Sequence, residues 1–159
     1  MASTVTASTL TVSLTEFITL NGQEFGATNT RTIASINEVS KRIVTVTTAE
    51  AVVATFSTAV ASAGHYIAAD AKYIRLTNLD DTNFVTLTFR NQDNDEVAIK
   101  LDAGQSFIWN GDNVNGMTAV FNATQDADAA SSANFGSLTN IQADADTASC
   151  DLEILVASV

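Results

Sequence analysis

Val85, Leu87 and Phe89 alternate with Thr86, Thr88 and Arg90, and this two-residue rhythm recurs in short runs along the whole chain. A period of two puts every second side chain on one face of an extended strand. Leu10, Val12 and Leu14 repeat it, as do Val97, Ile99 and Leu101. Near the end of the chain Cys150, Leu152, Ile154 and Val156 share one face, with Asp151 and Glu153 on the other. Turn residues close the runs: Asn21-Gly22, then residues 78–81, 91–95 and 102–105, then Asn110-Gly111. Asn, Asp and Gly serve there because they tolerate the turn backbone or hydrogen-bond to it. Many short strands punctuated in this way predict an all-β fold, an antiparallel β-sandwich or jelly-roll-like barrel.

The length of 159 residues suits one domain with a proper core and no need of disulfide or metal. Residues 1–8 are small and polar and read as a flexible or exchanged arm, and residues 9–159 as a single β-sandwich domain. The residues up to 15 are a candidate for a strand exchanged with a neighbouring copy. Residues 17–20 continue the first strand with a change of phase near Glu16, which predicts a bulge or a second short strand. Residues 23–35 carry scattered polar side chains and read as a loop. Strands are expected at 43–47, 73–77, 84–90, 106–109 and 117–121, and an exposed loop at 122–137. Residues 141–145 and 150–156 look like a final antiparallel pair. Residues 49–63 support two readings. Thr47 and Glu50 fit a capping box, Val52, Val53, Phe56 and Val60 fit one helical face, and Gly64 could end such a helix. Residues 53–57 fit a strand equally, so the fold carries at most one short helix.

Net charge and cysteine usage narrow the function. The net charge of −11 argues against a nucleic-acid partner, since phosphate binding runs on Lys and Arg. All seven cationic residues lie between Arg31 and Lys100, and residues 101–159 hold eight acids with no counter-charge. That acidic third reads as a solvated face, or as one that meets a basic partner or loose divalent cations. No apolar run is long enough to span a bilayer, and the N-terminus lacks the basic start and apolar stretch of a secretory signal. The expectation is therefore no membrane partner and synthesis in the cytoplasm of the translating cell. A lone cysteine, Cys150, excludes an internal disulfide and a multi-cysteine zinc site.

Catalytic patterns are hard to find. His65 is the only histidine, so a Ser-His-Asp arrangement must pass through it, and the chain has no Gly-x-Ser-x-Gly elbow. Cys150 lies on an apolar strand face, where a thiol behaves as a small hydrophobe. The seven glycines are dispersed and read as turn residues, not a phosphate loop. The acid groups Asp80/Asp81, Asp93/Asp95/Glu96, Asp126/Asp128 and Asp144/Asp146 could serve a glycan hydrolase only if two of the acids faced each other across a cleft. Asn91, Asp93, Asp95 and Glu96 form the best cluster of hard oxygen ligands for calcium, though a hairpin turn needs the same residues for its own backbone. Trp109, Tyr66 and Tyr73 could stack on a sugar, while the apolar run around Trp109 places it in a core or a subunit interface. The expectation is a protein without enzymatic activity, cofactor or dedicated metal. Leu10, Val12, Leu14 and Trp109 are its interface candidates.

The stretch YIRLTNLDDTNFVTL at 73–87 resembles small virion proteins of tailed bacteriophages, of the marine and cyanobacterial type. So do VAIKLDAGQSF at 97–107 and IQADADTA at 141–148 leading into Leu152, Glu153 and Ile154. The resemblance implies a β-sandwich without a catalytic motif, which tips 49–63 toward strand. It further implies a structural protein of the virion, assembled in the host cytoplasm. The leading expectation is a capsid decoration or cement protein bound to the major capsid protein or other virion subunits, as a homo-oligomer for which a trimer is plausible. A tail or fibre-associated subunit and a carbohydrate-binding host-adhesion module are the alternatives.

Overall fold

The computed structural model describes residues 5–109 and 137–159. The strand expected at 117–121, the Asn110-Gly111 strand end and the loop residues 122–136 fall outside them. The described residues form thirteen strands and no helix. Four make a ribbon: β1 (Ser8–Thr15), β2 (Thr19–Leu20), β3 (Gln23–Glu24) and β4 (Thr28–Ile36). The rest are β5 (Glu38–Val46), β6 (Ala51–Ser57), β7 (His65–Ile67), β8 (Ala71–Asn78), β9 (Val85–Asn91), β10 (Glu96–Leu101), β11 (Ser106–Trp109), β12 (Leu138–Ala145) and β13 (Cys150–Ser158).

Two sheets pack face to face. One has the order β10-β9-β12-β6-β7 and the other β11-β8-β13-β5. Leaving aside β7, which pairs parallel to β6, all neighbours in these sheets are antiparallel. Apart from β6–β7 and β9–β10, which stay within one sheet, consecutive strands cross between the sheets, in the two-Greek-key order of a jelly roll. The alternation read from the sequence supplies the core. Val85, Leu87 and Phe89 of β9 face Leu152, Ile154 and Val156 of β13, and all are buried. Full burial of each such side chain contributes about 1.5–3 kcal/mol.

Two expectations are corrected, and the open reading of residues 49–63 is decided. First, residues 141–145 and 150–156 do not pair. β12 lies between β6 and β9 while β13 lies between β5 and β8, so the chain crosses from one sheet to the other at 146–149. Each strand thereby gains neighbours on both sides, which a terminal hairpin would deny one of them. Second, residues 23–35 are not a loop, because β3 and β4 fill them. Thr, Asn and Arg give β4 little apolar rhythm, and its pairing with β1 supplies the order instead. Of the two readings of 49–63, the strand holds: residues 51–57 form β6. The Thr47 hydroxyl accepts the Ala49 N–H at 3.3 Å, closing a tight turn where a helix cap would have formed. Phe56 then packs on Tyr66, with ring centroids 5.8 Å apart.

Candidate assembly interface

The ribbon is one long hairpin standing on the four-stranded sheet. At its base, Leu10 and Val12 of β1 and Ile33 and Ile36 of β4 close a second small core over Tyr73, Leu155 and Ala157. Tyr73 is buried there, and that burial raises its phenol pKa against the opposing pull of Arg75. Further out the ribbon continues without a neighbour among the described residues. Thr15 pairs with Thr28, the Glu16 N–H donates to the Ala27 carbonyl at 2.8 Å, and the Phe25 N–H donates to the Ile18 carbonyl at 2.9 Å. Gly26 permits this approach, because a Cβ there would lie 2.3 Å from the Glu16 carbonyl oxygen. Asn21 and Gly22 close the end with φ of 52° and 78°, the signature of a type I′ hairpin turn.

Apolar side chains crowd this tip. Phe17 is 81% exposed, Phe25 62%, and Ile18, Leu20 and Leu14 each more than half. Large apolar side chains clustered on a projecting element mark an interaction surface, whereas scattered single ones do not. The opposite face of the ribbon is hydroxylic: Thr11 pairs with Thr32, Ser13 with Thr30 and Thr15 with Thr28. Ser13 and Thr30 oxygens lie 3.1 Å apart, and those of Thr15 and Thr28 3.2 Å. Along β1 and β4 one face thus carries hydrogen-bonded rungs that stiffen the ribbon, and the other carries Leu10, Val12 and Leu14.

The predicted interface residues divide. Leu14 belongs to the exposed tip. Leu10 and Val12 are half-buried in the base, and Trp109 turns inward beside Ile74 against the main core. Phe17, Ile18, Leu20 and Phe25 were missed as a surface. The available signal was large apolar residues flanking an Asn-Gly hairpin turn too short to bury them.

The calcium candidates sit at the β9–β10 turn and spend oxygens on it. The Asn91 Oδ1 accepts the Asp93 and Asp95 N–H groups at 2.9 and 2.8 Å, and its Nδ2 donates to Asp95 Oδ2 at 3.0 Å. Glu96 pairs with Arg90. Among the described residues no three His, Cys, Asp or Glu side chains gather as metal ligands would. Asp80 caps its own loop, accepting the Asn83 and Thr82 N–H groups at 2.6 and 2.8 Å, which hold its carboxyl below the usual range. His65 opens β7 in a shallow cleft beside Arg42, Gly64 and Thr55. Asp126 and Asp128 lie outside the described residues. Tyr66 is buried, its hydroxyl 3.2 Å from that of Ser40, so it offers no sugar-stacking face.

The site and fold together define a jelly-roll sandwich bearing an apolar-tipped β-ribbon. The chain matches no family model, no curated protein and no solved structure.

Proposed function

We propose that this chain is a non-enzymatic virion structural protein, a capsid decoration or cement subunit that stabilises a phage head by packing between subunits. The observation that carries the reading is the ribbon tip, where Phe17 and Phe25 stand in solvent on an element anchored firmly at its base. Such a tip gains by inserting into a pocket of the major capsid protein or another virion subunit. Burying one phenylalanine contributes about 1.5–3 kcal/mol, and repetition around a shell multiplies weak contacts by avidity. Double-sheet jelly rolls recur in viral capsid and lectin domains, which is compatible with the reading without selecting it. The net charge of −11 suits an outer position, away from packaged DNA.

Mass spectrometry of particles purified from cells that make this chain tests the proposal. The expected result is the chain present at many copies per shell. Particles stripped of the protein should rebind the native chain and fail to rebind a Phe17→Ser/Phe25→Ser variant. Absence from particles overturns the reading. Label on the tail in immuno-electron microscopy replaces it with a tail or fibre subunit, and glycan-array binding lost in Trp109→Ala replaces it with a host-adhesion module.

A further inference from the structure

Strand β10 ends the five-stranded sheet, and among the described residues no strand pairs with its outer side. Exposed strand edges invite pairing, and proteins commonly blunt them with proline, bulges or inward charges. β10 has no proline and no glycine, and its register with β9 runs unbroken from Glu96 to Leu101. Its core-facing side carries Val97, Ile99 and Leu101, and Val97 remains 43% exposed at the rim. Its outer face carries Glu96, Ala98 and Lys100.

This arrangement is self-complementary. We propose that β10 pairs antiparallel with β10 of a second copy of this chain, about a two-fold axis at Ala98, joining two five-stranded sheets into one. In that register Glu96 faces Lys100 of the partner subunit and Lys100 faces the partner's Glu96. Val97 and Ile99 meet reciprocally on the core side and cover the exposed rim. The residue on a two-fold axis meets its own copy, so a charge there would repel itself. Ala98 is small and neutral. Moving the axis by two residues to Ile99's neighbour Lys100, or back to Glu96, sets like charges opposite one another. Glu96 already holds Arg90 on its other side, so the joined sheet carries a row of cation, carboxylate and cation. The other long edge, β5, fits a two-fold poorly, because its central residue Arg42 would face its own copy. Where the sequence suggested a trimer, this edge selects a dimer as the unit from which larger assemblies are built. The inference is independent of what the ribbon tip binds.

Analytical ultracentrifugation of the full chain over a concentration series tests it. The native chain is expected to sediment as a dimer. Ala98→Lys, at an exposed position opposite Thr88, should give a monomer whose unfolding midpoint matches that of the native chain diluted to monomer. Lys100→Glu should raise the dissociation constant roughly tenfold or more through like-charge pairs, and adding Glu96→Lys should restore dimerisation. Ala98→Cys should form a disulfide-linked dimer under mild oxidation, since directly opposed strand residues lie about 4.5–5.5 Å apart, within disulfide reach. Asp81→Cys, in an exposed loop outside the β10 edge, should not. If the charge swap impairs folding, the two Ala98 variants decide the matter alone. A native chain that stays monomeric at high concentration overturns the inference, as does a trimer, or an oligomer that Ala98→Lys leaves intact.

Discussion

The Asn78 side chain ties one sheet to the other: from the end of β8 its Nδ2 donates to the Leu101 carbonyl at the end of β10, 3.1 Å away. The same Nδ2 donates to the Asn83 carbonyl at 2.8 Å, while Oδ1 accepts the Asp80 N–H at 3.1 Å. Asn78 is fully buried, so water cannot replace these bonds. Asn78→Leu should therefore cost about 2–4 kcal/mol, because two carbonyls lose their donor inside the protein. Chemical denaturation with an unchanged slope would show it. A loss below about 0.5 kcal/mol, the scale of an ordinary surface change, would mean that the bridge contributes little.

Gly64 stands where a side chain would strike Arg42. Its φ is +84°, and a Cβ would lie 2.5 Å from the Arg42 guanidinium, which itself donates to the Val53 carbonyl. Gly64→Ala should destabilise the protein by about 1–3 kcal/mol through backbone strain and this contact. Gly104 shares the positive φ but has open space around it, so Gly104→Ala reports the strain alone. The difference between the two in thermal unfolding isolates the contact, and Arg42→Ala in the Gly64→Ala background should recover part of that difference.

Acid should weaken the fold through two carboxylates. Asp80 is held below its ordinary pKa by the Asn83 and Thr82 N–H groups, and Glu153 by the Lys41 ammonium 2.9 Å away, with Arg75 adding to it. A depressed folded-state pKa stabilises fully above the unfolded value of about 4 and is lost as pH falls through the folded value. Unfolding free energy should be flat in this respect above about pH 5 and decline below about pH 4. Asp80→Asn and Glu153→Gln should each make that decline shallower. Variants with the native slope would assign the acid response to other groups.

Cys150 should be chemically silent in the folded protein. It is 1% exposed on the core face of β13, its pKa is raised by burial and then by the nearby Asp80 carboxylate, and its thiol points at the Ala148 and Phe84 carbonyls. A thiol reagent should label it only at the rate of unfolding, and fully in denaturant. Rapid labelling under native conditions would place the thiol at the surface.

Much of the sandwich was legible because its inner strands obey a rhythm of two. Val85, Leu87 and Phe89 could lie on one face only, and the Asn and Asp clusters after β8 and β9 could do little but turn. β4 was illegible because Thr28, Asn29, Thr30 and Arg31 carry no apolar signal and are ordered by pairing with β1. The segment holding β6 was ambiguous because Val53 and Phe56 fit a helical face as well as a strand, until β12 supplied the neighbour that a strand requires.

By itself the sequence determined the strand faces and turns, since these follow from local stereochemistry and from which side chains avoid water. The tertiary structure decided which strands became neighbours: that β12 and β13 part into opposite sheets, that β10 is left at an edge, and that Phe17 and Phe25 end on a projecting tip. Those outcomes depend on contacts between residues far apart in the chain, and no local pattern encodes which distant surface an apolar face will meet.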